Sequence, residues 1–184
     1  MTRVFEMNPV GSITTDAVGE PGSRVFYLQA CTSEDTITLL VEKAQVQVLA
    51  NAIYQLLAEI GDSLVTGPRP SLVDPLDLEL RFPLEAEFRV DSMELEYDAN
   101  ADLVILVAHE LVTQDPEVEP RQASDGLALA RLHATRSQMH ALAYHALEVT
   151  ARGRPVCPHC GQPDGPQGHV CPKRNGHARG LVSL

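Results

Sequence analysis

The chain runs to 184 residues, 44% of them hydrophobic and 21% charged, with a formal net charge of −11. That length fits one ordinary domain with a short appendage, and that composition buries a core without help from disulfides. It excludes a disordered chain, and no run approaches the eighteen or so apolar residues of a membrane helix. The N-terminus, Met1-Thr-Arg-Val-Phe-Glu6, lacks the apolar stretch of a signal peptide, so a cytoplasmic protein is expected. With four Phe, four Tyr and no Trp, the core must be mainly aliphatic. Charge is unevenly placed. Residues 1–149 carry nine Lys/Arg against twenty-four Asp/Glu, whereas residues 150–184 carry five against Asp164 alone. An acidic body repels phosphate backbones, which argues against nucleic acid as the main partner.

Residues 3–18 alternate loosely in hydrophobicity, and Gly19-Glu-Pro-Gly22 then marks a turn. Arg24–Cys31 and Thr36–Val41 read as strands joined by a short polar turn. A helix is predicted from Lys43 to Gly61, with Val46, Leu49, Ile53, Leu56, Leu57 and Ile60 on one stripe and Gly61 as its stop. Four prolines between 66 and 86 indicate a crossing linker without regular helix. Strands are predicted again over Glu87–Tyr97 and Leu103–Val112, hinged at Asp98–Asp102, with a third over Leu127–His133. A second helix follows from Arg136 to Arg152, with Met139, Leu142, Ala143, Ala146 and Leu147 on its stripe. Its start is marked by Thr135 and Gln138 at capping-box spacing.

The order of elements repeats. A shift of 93 superposes Gln45, Leu49 and Ala50 on Gln138, Leu142 and Ala143, and a shift of 78 to 80 brings the strand at Val25 onto that at Leu103. The expected fold is therefore α+β: a largely antiparallel sheet from a duplicated β-β-β-α unit, with both helices packed on it. The body spans 1–152, in units of about 1–62 and 86–152 joined by a Pro-rich linker at 63–85. A tail of 153–184 follows.

In the tail, Val156-Cys-Pro-His-Cys-Gly161 has the form of a zinc knuckle. Cys157 and Cys160 are spaced to converge on one ion, and Gly161 can complete the turn. Nine and eleven residues beyond Cys160, His169 and Cys171 project to the same side of an extended segment. Three thiolates and an imidazole suit one structural Zn2+, with His177 and His159 as other candidates for the fourth ligand. No helix follows the Cys-x-x-Cys, which argues against redox chemistry.

Elsewhere the residue types are explained by packing. Cys31 closes a strand as a small apolar side chain. His133, His140 and His145 cluster near the second helix with Tyr144, where His140 and Tyr144 are read as a surface face. Asp91, Glu94, Glu96 and Asp98 read as a solvated strand edge. No phosphate-binding glycine loop is present.

Taken together, Val18-Gly-Glu-Pro-Gly with Arg24-Val-Phe-Tyr-Leu-Gln-Ala, Glu42-Lys with Gln45, Phe88-Arg-Val, Gly153-Arg-Pro-Val-Cys-Pro-His-Cys-Gly and Gly168-His-Val-Cys-Pro carry a resemblance. The chain resembles an uncharacterised family of conserved hypothetical proteins common in actinobacteria, over nearly its whole length. The family pattern keeps the His of His-x-Cys, which implies His169 as ligand. The resemblance also implies a pathway shared with phosphatidylinositol-kinase-like and histidine-phosphatase-like proteins, without assigning a reaction.

The leading expectation is a non-catalytic, zinc-stapled module that binds another protein, with a homodimer compatible. A second is an enzyme of phosphate or nucleotide metabolism, whose cleft would be lined by His109, Glu110 and the strand at Gln29. The third is nucleic-acid binding through Arg152, Arg154, Lys173, Arg174 and Arg179.

Overall fold

The computed structural model describes residues 3–61, 75–112, 126–152 and 159–160. The fold is α+β: a seven-stranded mixed sheet and two helices. The elements are β1 (Val4–Met7), β2 (Ser12–Val18), β3 (Val25–Cys31), β4 (Thr36–Val41), α1 (Lys43–Glu59), β5 (Ala86–Asp98), β6 (Leu103–Glu110), β7 (Leu129–Thr135) and α2 (Arg136–Ala151). A 3-10 turn, Pro75–Leu78, lies between α1 and β5.

Strand order is β1-β7-β6-β5-β4-β3-β2. β2-β3-β4 and β5-β6-β7 are antiparallel meanders, while β4–β5 and β1–β7 pair in parallel. β1 and β2 stand at opposite ends of this order, yet only residues 8–11 separate them. The sheet therefore curls until its ends meet at that corner, where the Val10 N–H donates to the His133 carbonyl at 2.8 Å.

The repeat is visible in the register. Ser12 opposes Cys31, which opposes Thr36; in the second unit Ser92 opposes His109, which opposes Leu129. Glu6 faces Arg131 in one parallel pairing and Ala86 faces Thr38 in the other. These correspond at shifts of 80, 78 and 93. β1 and β2 together are thus the counterpart of β5, a single strand bent at a bulge between Val90 and Ser92. Each bent strand runs its first half beside the other unit's third strand and its second half beside its own meander.

Both helices begin alike. Gln45 accepts from the Glu42 N–H through Oε1 at 2.8 Å, and its Nε2 donates to the Val90 and Asp91 carbonyls at 3.1 and 2.9 Å. Gln138 accepts from the Thr135 N–H at 2.9 Å and donates to the Val10 and Gly11 carbonyls at 3.2 and 2.9 Å. A glutamine in the first turn thus caps its own helix and ties it to the bend of the other unit's first strand. Gly61, with φ of +73°, follows the end of α1 as expected.

One aliphatic core joins the helices to the inner sheet face, with Leu28, Leu39, Leu106 and Leu132 from the strands and Leu49, Ile53, Met139 and Leu142 from the helices. α1 buries one stripe, leaving Val48 68% exposed. α2 is buried on most sides, because α1, β2 and the 3-10 turn all pack against it. Two expectations are corrected here. His140 is buried, its ring edge-on to Tyr54 with centroids 5.5 Å apart, and so is not on a surface face; His145 is buried too. Leu147, placed on the stripe, is exposed.

Candidate functional site

Four places in the described residues gather chemistry. The first is the outer face of β2-β3-β4. There Thr14, Gln29 and Thr38 stand side by side across three strands, each nearly fully buried. The chain after the 3-10 turn covers them. Thr14 Oγ1 donates to the Leu78 carbonyl at 2.6 Å, Gln29 Nε2 donates to Thr38 Oγ1 and the Arg81 carbonyl at 2.9 Å each, and Gln29 Oε1 accepts from the Arg81 N–H at 2.7 Å. An irregular segment has no ladder to satisfy its backbone, and these side chains supply that need. Gln29 is therefore spent on structure. His109 and Glu110 lie three strands away in the sheet order, and the Glu110 carboxylate accepts from the Ala128 N–H at 2.7 Å. These residues do not form the cleft expected of them from sequence.

The second is the corresponding outer face of β1-β7-β6-β5. His133 Nε2 lies 2.6 Å from Glu6 Oε1, and Arg131 spans Glu6 at 3.8 Å and Glu96 at 3.1 Å. Glu94 and Glu96 lie on solvent-accessible strand positions, in keeping with the sequence reading. Cross-strand charge pairing of this kind steadies a solvated sheet face.

The third is two charge clusters at element ends. Tyr97 Oη donates to Asp102 Oδ1 at 2.6 Å, and Arg136 reaches the same carboxylate at 2.7 Å and the phenol at 2.6 Å. The hydrogen bonds from Tyr97 and Arg136 hold the Asp102 carboxyl below its ordinary value, and the one to Asp102 raises the Tyr97 phenol. Asp102 sits at φ 54°, so the trio locks a strained turn to the start of α2. At the other end of α2, Asp16 Oδ2 lies 3.7 Å from His145 Nε2. Burial pushes the Asp16 carboxyl up, but His145, the Ala17 N–H and Arg152 outweigh it and hold the value low. Arg24 donates to the Arg152 carbonyl beside them.

The fourth is a groove of about 510 Å3 between α1 and the second half of β5. Val48, Leu49, Ala52 and Leu56 form one wall and Met93 and Leu95 the other, with Glu59 and Asp91 at its rim. The edge of β5 over 92–98 pairs only with β6 among the described residues. Sequence reasoning missed this groove, because Ala44, Val48 and Ala52 are as compatible with a packed face as with an open one.

Of the predicted metal ligands, Cys157, His169 and Cys171 lie outside the described residues, as does His177. Cys160 is half-buried in a turn with His159, which is exposed. Among the described residues, no group of three or more His, Cys, Asp or Glu is placed to hold a metal ion. None of the described helices is long and apolar enough to cross a membrane.

Residues 5–171 match the family described as Protein of unknown function (DUF3090). The chain belongs to this family. The DUF3090 match takes in both repeat units and runs on through Cys171. No curated protein and no solved structure matches the chain.

Proposed function

We propose that this DUF3090 protein is a non-catalytic protein-interaction module of the cytoplasm, whose C-terminal tail is stapled by one zinc ion through Cys157, Cys160, His169 and Cys171. The observation that carries the reading is the α1/β5 groove, an apolar channel with an exposed valine at its lip and carboxylates at its rim. Monomeric proteins seldom expose an apolar patch of this shape without using it. A short partner segment with an apolar anchor and neighbouring positive charge fits it. Among the described residues, Thr14 and Gln29 hold the strap, Glu6 and His133 pair on the sheet face, and Asp102 with Arg136 and Asp16 with His145 tie the element ends. The tail donors support zinc by their type, three thiols and one imidazole, and a closed four-ligand site leaves no position for substrate.

Native mass spectrometry of wild type and Val48→Asp, each purified gently from the host, tests this. The expected spectrum shows one zinc per chain in both, with a stoichiometric protein partner on wild type that is lost from the variant. Partner retention in Val48→Asp would move the interface elsewhere. Turnover of a phosphate or nucleotide substrate, abolished by substitutions in the body, would overturn the reading altogether.

A further inference from the structure

The groove has a counterpart in the other half of the molecule. At shifts of 93 and 80, Ala44, Gln45 and Val48 of α1 correspond to Ser137, Gln138 and Ala141 of α2, and Asp91, Ser92 and Met93 correspond to Gly11, Ser12 and Ile13. That second groove, between α2 and β2, is largely filled. The 3-10 turn Pro75–Leu78 packs against both walls, Leu78 is 8% exposed, and its carbonyl is fixed by Thr14. Only a pocket of about 230 Å3 remains there, lined by Gly11, Ser12, Ile13, Ser137 and Gln138, with Asp77 of the turn at its side. Val48 is 68% exposed where Ala141 is 2% exposed. The two units thus differ in one respect: the chain leaving α1 returns to seal the α2/β2 groove, and the α1/β5 groove stands open among the described residues.

The segment in the corresponding position is the tail, which leaves α2 as the linker leaves α1. Leu78 lies nineteen residues beyond Glu59; nineteen beyond the equivalent Arg152 is Cys171, followed by Pro172 and Lys173. The tail carries four Lys/Arg against one acid, and the groove rim carries Glu59 and Asp91. We infer that the chain's own tail, centred on Val170–Lys173, docks in the α1/β5 groove when no partner is bound, so that a partner must displace it. The proposed zinc ligands His169 and Cys171 fall beside and within this segment, so its docking is expected to depend on the metal. This rests on the groove being the interaction site proposed above.

Lysine occurs only at positions 43 and 173, so zero-length carbodiimide coupling reads the contact directly. The zinc-loaded full-length chain is treated as an equal mixture of 14N and 15N protein, and its cross-linked peptides are sequenced. The expected product is an intrachain amide from Lys173 to Glu59 or Asp91, lost in Val48→Asp and lost after zinc is chelated. Val48 is exposed, so that variant keeps its fold, which circular dichroism checks. Coupling of Lys173 to remote acids such as Glu20 and Glu34 in place of the rim would overturn the inference, as would a rim link that Val48→Asp leaves intact. Mixed-isotope links making up about half of the rim product, the share that random pairing of chains gives, would overturn it in favour of a second copy in the groove. If Val48→Asp abolishes partner binding while no Lys173 link to the rim forms, the tail inference falls and the interaction module stands. A rim link without any Val48-dependent partner has the reverse meaning.

Discussion

Gln29 is 1% exposed and uses both ends of its amide, accepting from the Arg81 N–H and donating to its carbonyl. The two Gln29–Arg81 bonds are part-buried, so the Arg81 backbone pair keeps a desolvation cost when that partner is removed. Gln29→Ala should therefore lose about 2–4 kcal/mol by denaturant unfolding, combining two unsatisfied backbone groups with a cavity. A loss below about 1 kcal/mol would mean that water reaches Arg81 and that the strap is not sealed by this residue. Asp16 provides a pH-dependent counterpart. Its folded carboxyl lies below the ordinary 3.8. The stability it contributes is therefore complete above about pH 4 and disappears as pH falls through the lower folded value. Being partly exposed, it is worth roughly 0.5 kcal/mol after solvent screening. Asp16→Asn should leave a shallower loss of stability between pH 4 and pH 2 than wild type, and identical acid limbs would show that Asp16 is not linked to folding.

At the level of elements, Gln45 and Gln138 do the same work in two places, capping a helix and holding a strand bend. Replacing either with Ala should cost about 1–2 kcal/mol, measured by chemical denaturation, and the two costs should be similar. The helices themselves should respond unequally. Leu142→Ala in the sealed helix should cost about 3–5 kcal/mol, whereas Val48→Ala in the open one should stay within about 0.5 kcal/mol. The helix ends and most strands were legible in the sequence because they depend on local signals: the Thr135/Gln138 cap, Gly61, and the spacing of Val46, Leu49 and Ile53. The repeat was legible through the shifts that align Gln45 with Gln138. That residues 4–18 form one bent strand closing the sheet was not legible. The bend is fixed by contacts to His133 and Gln138, more than 120 residues away. Nor was the burial of His140 and His145. A stripe argument assumes one covered face, and α2 is covered on three sides by elements whose positions only the tertiary structure sets.

For the whole molecule, the question is how far the tail and the body depend on one another. The core, as far as the described residues show it, draws on both meanders and both helices. The proposed zinc site, by contrast, would contribute folding energy to the segment that binds it, as metals do for segments too short to build a large core. Removing the metal should therefore unfold the tail locally and leave the body's cooperative transition in place. Thiols provide the count. Cys31 is 3% exposed, its sulfur within 3.5 Å of Thr36 Oγ1, and it should stay unreactive toward an aromatic disulfide reagent until the body unfolds. Cys157, Cys160 and Cys171 should be slow while zinc is bound and fast once a chelator is added. The expected titration adds three thiols on chelation and the fourth only in denaturant. A fourth thiol appearing with the first three would show that the body opens with the tail, and three thiols reacting quickly before any chelator is added would remove the zinc ligands from this chain.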